Sequence, residues 1–280
     1  MPTPGPDKID LDAYCERIGY SGSRAPTLDT LRAIHLHHPQ AIPFENLDPF
    51  LRRPVLLDSA SLEAKLVRNG RGGWCFEHNL LLRHVLESLG FRVTGHAARM
   101  LWNVPEGVIR HRSHMLLSVE LDGVLYIADV GFGGLTLTAP LRLVAGVEQA
   151  TPHERFRLLA RDGDFVLQAL LRDEWRPLYR FDLQRQLLPD YEVTNWYLAN
   201  HPQSHLVTGL MCAMASVGRR YALRDNQLSV HRLNGDSEQR TLSNAAELRA
   251  ALRDVFRIRL PSEPQLDGAL EQLLLRRAGC

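Results

Sequence analysis

A predicted β-hairpin between positions 113 and 134 constrains the fold of this chain more than any other segment. Two apolar runs, S-H-M-L-L-S-V-E-L (113–121) and V-L-Y-I-A-D-V-G-F-G-G (124–134), flank Asp122-Gly123, a dipeptide typical of a type I′ turn. Such a turn fixes the register, so Leu117 faces Ala128. We predict that the face containing this pair packs into the core, since all its members are apolar: Met115, Leu117, Val119, Leu121, Val124, Tyr126, Ala128 and Val130.

The opposite face of the hairpin brings an acid close to a histidine. In the same register Leu116 faces Asp129 and His114 faces Gly131. His114 and Asp129 are therefore diagonal neighbours, with roughly 7–8 Å between their Cα atoms. Aspartate is disfavoured inside a strand, which makes a purely structural role for Asp129 less natural. A carboxylate at this distance can fix the tautomer of an imidazole and stabilise the imidazolium. We therefore predict a His–Asp pair at the open end of the hairpin.

Cys75 follows a glycine turn and begins a predicted helix. It lies in R-G-G-W-C-F-E-H-N (71–79), and the residues that follow are apolar at helical spacing up to Gly90, which can end a helix. The positive end of the helix dipole favours a thiolate over a thiol. A lone cysteine is more often a small buried apolar residue, but a nearby base with an orienting acid makes it a nucleophile. The residues alone thus predict a Cys75–His114–Asp129 triad suited to acyl transfer.

Further motifs make the chain recognisable. The relevant segments are I-P-F-E-N-L (42–47), R-G-G-W-C-F-E-H-N (71–79), the His114 strand, D-V-G-F-G-G-x-x-x-x-x-P-L (129–141) and N-W-Y-L-A-N-H-P-Q-S-H (195–205). In this order and at this spacing they resemble the arylamine N-acetyltransferases, over nearly the whole chain. Two positions depart from the family pattern. Trp74 replaces the more usual Tyr or Phe, and His78 stands where an apolar residue is common.

The resemblance implies a two-step transfer catalysed by Cys75, His114 and Asp129. Acetyl-CoA would acetylate the Cys75 sulfur, and the acetyl group would then pass to an arylamine, an aryl hydrazine or an N-hydroxyarylamine, giving ping-pong N- and O-acetylation. No metal is implied. The alternative is a thiol hydrolase or a transglutaminase-like enzyme, because the same triad serves amide cleavage. A zinc site at Cys75 and His78 is disfavoured, since only two ligands are local.

Other family positions carry over one at a time. Phe44 and Phe132 resemble the aromatic walls that hold the acceptor ring, with core packing as the alternative, and Gly133 would let a ligand approach the backbone. Glu45 and Arg71 resemble a structural ion pair. The sequence lacks the G-x-x-x-x-G-K-[ST] phosphate loop and the G-x-G-x-x-G fingerprint, so it does not name the residues that hold the CoA diphosphate.

Charge and hydropathy limit the classes of partner that this chain is expected to bind. The chain has 33 Lys and Arg against 32 Asp and Glu, which argues against nucleic acid or a membrane surface as a partner. No apolar run approaches a membrane span of ~18 residues, and M-P-T-P-G-P-D-K has no apolar signal region. Four cysteines show no pairing pattern, which suits a reducing cytoplasm: Cys15, Cys75, Cys212 and Cys280. We expect a cytoplasmic monomer or weak homo-oligomer that binds CoA and a small acceptor.

The periodicity predicts an α+β chain of several domains, and the family resemblance implies a cysteine-protease-like Cys–His–Asp core. We predict a helical domain (1–90) carrying Cys75, an antiparallel β-barrel domain (91–190) carrying His114 and Asp129, a connector (191–212) and a C-terminal α/β lid domain (213–280). Helices are predicted at 11–18, 27–37, 61–67, 75–89, after an Asn244 N-cap, and at 266–277. Strands are predicted at 91–100, 113–121, within 124–134, at 156–160, 164–171, 175–181 and on both sides of Asp225-Asn226.

Three histidines near the end of the second predicted helix look like a metal cluster at first sight. On a helix His35 and His38 share a face, with His37 beside them. Because no cysteine or acid joins them locally, we predict solvated histidines at a helix end.

Overall fold

The computed structural model describes residues 9–233, 235–260 and 264–278. Within these ranges, helices precede a large antiparallel sheet, and a smaller sheet with further helices follows it. No helix in them is long and apolar enough to cross a bilayer. Cys280, the last of the four cysteines, lies outside the described residues.

The helices before the large sheet largely follow the prediction. They are α1 (Leu11–Ile18), α2 (Leu28–Ala41), α3 (Leu47–Phe50), α4 (Ser59–Leu62), which continues as a π-helical segment (Glu63–Arg68), and α5 (Cys75–Ser88). Thr27 caps α2 by accepting the Thr30 N–H. Gly90 has the positive φ of +90° expected after the end of α5. The sequence reasoning missed α3 and ended α2 too early, at position 37.

The large sheet is a nearly closed antiparallel barrel. Its strands are β2 (Arg92–Met100), β3 (Arg112–Leu121), β4 (Val124–Ala128), β5 (Leu141–Arg142), β6 (Glu148–Ala150), β7 (Arg155–Arg161), β8 (Asp164–Leu171) and β9 (Glu174–Phe181), in the order β5-β4-β3-β2-β9-β8-β7-β6. The Gln149 side chain joins the two edges, since it accepts the Arg142 N–H at 2.8 Å and donates to the Arg142 carbonyl at 3.0 Å.

The predicted hairpin register is confirmed along β3 and β4. Leu117 pairs with Ala128, and both turn residues have the positive φ of a type I′ turn, 51° at Asp122 and 74° at Gly123. The predicted apolar face packs in one cluster with α5. Part of the other face is buried as well, because Leu116 and Ile127 point into a second cluster inside the barrel, whereas Glu120 and Leu125 near the turn are exposed.

The pairing of the hairpin ends earlier than predicted. Beyond Ala128 the Asn79 side chain lies between the two segments, donating to the Met115 carbonyl at 2.8 Å and accepting the Val130 N–H at 3.1 Å. In the predicted register Met115 would face Val130, and this prediction of a direct strand pair is wrong. The amide of a helix residue replaces it and leaves Asp129 at the point where the strand stops.

The smaller sheet joins distant parts of the chain. It contains β1 (Phe44–Glu45), β10 (Met211–Ser216), β11 (Arg219–Arg224), β12 (Gln227–Arg232) and β13 (Ser237–Thr241), in that order. The connecting helices are α6 (Leu188–Asn200) and α7 (His205–Thr208). After the sheet come α8 (Ala245–Ala250) with a π-helical continuation (Ala251–Val255) and α9 (Pro264–Ala278). The predicted Asn244 cap is confirmed by the Glu247 N–H bond of 2.9 Å. The division into domains stays a prediction, and β1 pairs with β10 across two of its parts.

Candidate active site

Cys75 is the first residue of α5 and lies at a crowded junction. Its side chain is 8% exposed, and the sulfur lies 3.7 Å from the Ser113 carbonyl oxygen on the neighbouring strand segment. The Gly131 loop packs directly on it, because a Cβ at Gly131 would lie 2.7 Å from the Cys75 Cα atom. The Trp74 N–H donates to the Glu77 carboxylate at 3.0 Å, which caps the first turn of the helix. The nucleophile predicted from the sequence thus sits beside the open end of the hairpin.

His114 and Asp129 form the predicted close pair. The His114 Nε2 atom lies 2.7 Å from the Asp129 Oδ2 atom, and both side chains are buried. Because Nε2 is held by the carboxylate, Nδ1 remains for the Cys75 side chain, which interacts with the same imidazole. Burial lowers the pKa of His114, but the Asp129 carboxylate and Cys75 together raise it to about 10. Burial likewise opposes ionisation of Asp129, yet His114 and the other donors hold the pKa of this carboxyl below its usual value.

Every polar group of Asp129 has a partner. Its Oδ1 atom accepts from the Asn79 amide at 3.0 Å and from the Gly131 N–H at 2.9 Å. Its carbonyl accepts from the Thr136 hydroxyl at 3.0 Å, and its N–H donates to the His35 Nε2 atom at 3.1 Å. The carboxylate is therefore held from several elements of the fold. The sequence did not identify these supports, although Asn79 lies within the Cys75 motif.

Aromatic side chains line the other side of His114. The Phe132 ring meets the imidazole edge to face at 5.4 Å between centroids. Gly133 has a φ of +86°, and a Cβ there would lie 3.4 Å from the Phe44 ring, so Phe44 lies beside the segment that carries Phe132 and Gly133. The sequence reasoning missed Tyr179, whose buried ring lies 4.9 Å from that of His114. Burial raises the pKa of Tyr179 well above its usual value, and the negative charge of Asp129 raises it further.

The predicted Glu45–Arg71 ion pair is present, with 2.8 Å between the Arg71 Nε and Glu45 Oε1 atoms. It belongs to a larger buried network that the sequence did not reveal. Asp48 accepts from Arg71 at 3.1 Å and from the Lys65 ammonium at 2.5 Å, and Lys65 also donates to Glu77 at 2.6 Å. Separating these segments would leave buried charges unpaired, which is strongly destabilising. The network therefore holds β1 and the π-helical segment against the start of α5.

The prediction that the histidines of α2 are solvated is wrong for His35 and His38, both of which are fully buried. The reason is that α2 continues to Ala41, and its end packs where Tyr14 of α1 and His78 of α5 contact His38. In the ranges that the structure describes, no group of three His, Cys, Asp or Glu side chains could hold a metal ion.

The four ring nitrogens of His38 and His78 form one directed chain of hydrogen bonds. A carbonyl only accepts, so the His78 Nε2 atom donates to the Pro43 carbonyl at 3.1 Å. His78 Nδ1 then accepts from His38 Nε2 at 2.9 Å, and His38 Nδ1 accepts from the Tyr14 hydroxyl at 2.8 Å. Both imidazoles are neutral in this arrangement. His78 therefore serves as the hydrogen-bond partner of His38.

These buried histidines predict a loss of stability in acid. Burial lowers the pKa of His35 and His78 from 6.5 to about 4, and it lowers the pKa of His38 well below its usual value. Since the unfolded chain binds these protons first, the free energy of unfolding should fall as the pH drops from about 6.5 to 4. Each pKa unit is worth about 1.4 kcal/mol, so His35 and His78 should each contribute a loss of roughly 3 kcal/mol by pH 4. The raised pKa of His114 has the opposite sign, and stability should also fall from about pH 6.5 towards pH 10.

Urea unfolding at a series of pH values measures this effect. The double variant His38→Leu, His78→Leu should show a shallower loss below pH 6.5 than the wild type. A free energy of unfolding that stays constant between pH 7 and pH 4.5 would contradict the neutral, buried state of these side chains.

Comparison with known proteins agrees with this geometry. The N-acetyltransferase family model matches residues 27–265. Arylamine N-acetyltransferase from Mycobacterium tuberculosis is 43% identical over 278 residues, covering 97% of this chain and 98% of that protein. An arylamine N-acetyltransferase / N-hydroxyarylamine O-acetyltransferase from Salmonella typhimurium is 38% identical over 247 residues, covering 88% of each chain.

A solved structure shows the same fold. Mycobacterium marinum arylamine N-acetyltransferase in complex with CoA superposes with a TM-score of 0.91 at 41% identity, covering 94% of this chain and 99% of that one. The family match spans most of the chain, and the relatives align over nearly their full length. The resemblance inferred from the sequence motifs is thereby confirmed, and the chain belongs to the arylamine N-acetyltransferase family of acyltransferases.

Proposed function

We propose that this protein transfers an acetyl group from acetyl-CoA to the Cys75 sulfur and from there to an aromatic amine, hydrazine or hydroxylamine. The observation that carries the proposal is the buried His114–Asp129 pair, with 2.7 Å between Nε2 and Oδ2, beside a cysteine at a helix N-terminus. The CoA bound to the Mycobacterium marinum relative supports CoA as the carrier of the donor. The second name of the Salmonella typhimurium relative supports O-acetylation of N-hydroxyarylamines.

In the first step the Cys75 thiolate attacks the carbonyl carbon of acetyl-CoA. A tetrahedral intermediate collapses as the bond from that carbon to the CoA sulfur breaks, and the departing CoA thiolate takes a proton from the His114 imidazolium. The raised pKa of His114 keeps this proton available at neutral pH. Because one thioester replaces another, the free energies of donor and intermediate are similar. The protein need only orient the groups and stabilise the oxyanion.

In the second step the acceptor nitrogen or oxygen attacks the acetyl group on Cys75. The neutral His114 imidazole takes the proton that the acceptor loses, and the Cys75 thiolate is restored as the bond to its sulfur breaks. Asp129 holds Nε2 throughout, so Nδ1 handles the proton in both steps. The Phe44 and Phe132 rings beside His114 would place a flat acceptor ring next to this nitrogen.

The acceptor site predicts a strong preference for aromatic amines. A 4-substituted aniline or aryl hydrazine is neutral at pH 7, whereas an alkylamine with a pKa near ~10.4 has only about one molecule in 2,500 unprotonated. We expect anilines to be acetylated at least about 100-fold faster than alkylamines at equal concentration. The measurement is the release of free CoA thiol from acetyl-CoA with a panel of acceptors.

A matched pair of variants tests the pocket itself. Phe132→Leu should lower turnover of anilines, while Phe165→Leu, which removes a ring stacked on Phe181 away from His114, should leave it unchanged. Equal turnover of an alkylamine and an aniline would argue against the aromatic pocket. Release of CoA at an undiminished rate without any acceptor would favour the alternative, a thiol hydrolase.

A further inference from the structure

We propose that His35 is a positioning residue for the His114–Asp129 pair, because its unprotonated Nε2 atom accepts the backbone N–H of Asp129 and so sets where the carboxylate lies. The proposal rests on the proposed function in one respect, namely that Asp129 supports the reaction of Cys75. His35 acts on Cys75 only indirectly, through Asp129.

Asp129 needs such an anchor because its backbone has left the sheet. The β3–β4 pairing ends at Ala128, and the β4–β5 pairing covers only Tyr126 and Ile127. No strand in the described ranges therefore receives the Asp129 N–H. The His35 Nε2 atom receives it at 3.1 Å, and both side chains are fully buried. Thus a residue of α2 takes the place of a strand at the position that holds the imidazole.

The direction of this hydrogen bond defines the state of His35. A backbone N–H can only donate, so Nε2 carries no proton and the neutral ring is protonated at Nδ1. Burial lowers the pKa of His35 to about 4, with the Asp129 charge acting the other way. The ring therefore remains an acceptor at neutral pH. Protonation of Nε2 would place its N–H against the Asp129 N–H and break this hydrogen bond.

The unpaired atom of His35 indicates what the residue stabilises. Its Nδ1 atom is buried, and no described residue accepts from it in good geometry. A buried donor without a partner costs about 1–3 kcal/mol. A leucine at this position would leave the Asp129 N–H unpaired instead. With the imidazole present, the Asp129 N–H is paired and the unpaired donor is the His35 Nδ1–H on the far side of the ring. The hydrogen bond therefore stabilises the position of Asp129, while the stability of the core as a whole gains little.

Two substitutions show whether His35 acts as a hydrogen-bond acceptor or only fills space in the core. His35→Leu fills the space without an acceptor, whereas the side-chain oxygen of His35→Gln can accept the Asp129 N–H. We expect His35→Leu to lower kcat roughly 10- to 100-fold, as loss of a supporting hydrogen bond does in other sites, with KM for acetyl-CoA little changed. His35→Gln should recover most of this loss. His37→Leu, on the same helix and bonded to the Ile18 carbonyl, should behave as wild type.

The alkylation of Cys75 gives a readout that does not depend on acetyl transfer. Iodoacetamide should modify the His35→Leu enzyme more slowly than wild type between pH 6 and 7, and His35→Gln should restore the rate. Because this test needs neither acetyl-CoA nor an acceptor, it stands even if the proposed substrates are wrong. A folded His35→Leu enzyme with wild-type kcat and alkylation rate overturns the proposal, as does an equal loss in the Gln and Leu variants.

Nitrogen NMR of the intact wild-type enzyme, with ¹⁵N-labelled histidine, tests the same point without relying on a Leu variant that folds. The His35 signal, assigned by its loss in His35→Gln, should show a ring protonated at Nδ1 and unprotonated at Nε2. A ring protonated at Nε2 cannot accept the Asp129 N–H and would overturn the proposal.

Discussion

Replacing Cys75 with serine is expected to preserve the fold and to lower acetyl transfer by at least about 1,000-fold. A hydroxyl of similar size fills the same space at the start of α5, but it ionises far less readily than a thiol beside the same imidazole. Loss of a nucleophile also removes the benefit of the groups that act with it, so the effect is large. The measurement is the acetylation rate of an aniline by the purified variant, with circular dichroism to establish folding.

The other cysteines provide the control for this prediction. Cys15→Ala and Cys212→Ala remove buried thiols that lie away from His114, and neither should change the rate substantially. A well-folded Cys75→Ser enzyme that retains substantial transfer would contradict the covalent mechanism. So would inactivation by alkylation of Cys15 or Cys212 with Cys75 unmodified.

Replacing Asp129 with asparagine is expected to lower kcat by roughly 1,000- to 10,000-fold while the fold is kept. The Oδ1 position receives two donors, the Asn79 amide and the Gly131 N–H, so the oxygen of the new amide must take that position. Its NH2 group then faces His114 Nε2 and donates to it. This forces the proton of a neutral imidazole onto Nδ1, the nitrogen that should serve Cys75, and a wrong tautomer of this kind costs ~10⁴ in a serine protease triad.

A carboxylate elsewhere in the barrel serves as the matched control. Asp164→Asn breaks a partly exposed ion pair with Arg180 and should leave kcat near the wild-type value. Since stability and activity are measured on the same preparations, unfolding and loss of chemistry can be told apart. A folded Asp129→Asn enzyme with near wild-type kcat would show that the charge of Asp129 is dispensable.

The hairpin was predictable because two local rules agree. Asp122-Gly123 selects the turn, and the two-residue period of a strand then assigns every side chain to a face. His114 and Asp129 could be placed together on this basis alone. The same reasoning overestimated the length of the pairing, because it could not foresee that Asn79 of α5 replaces the last strand contacts.

The burial of His35 and His38 was not predictable from local sequence. Their spacing indicated a helix face, but whether that face meets water depends on α1, α5 and the end of β4, which are distant along the chain. Tyr179 was missed for a related reason. Its strand was predicted, but the closure of the barrel decides that the ring points at His114. The partners of Arg71 beyond Glu45 likewise come from segments whose approach is a tertiary property.

The pH dependence of Cys75 alkylation distinguishes a thiolate paired with an imidazolium from an ordinary thiol. If Cys75 reacts as a thiolate paired with the His114 imidazolium, inactivation of the free enzyme by iodoacetamide should stay fast as the pH falls towards 6. In a folded Asp129→Asn enzyme the rate at that pH should drop, because the charge that stabilises the imidazolium is gone. Any lower inflection in the wild-type profile belongs to the Cys75–His114 pair, not to either residue. A wild-type rate that rises only near pH ~8.5, like that of a free thiol, with the same profile in Asp129→Asn, would show that Cys75 is an ordinary thiol without a triad.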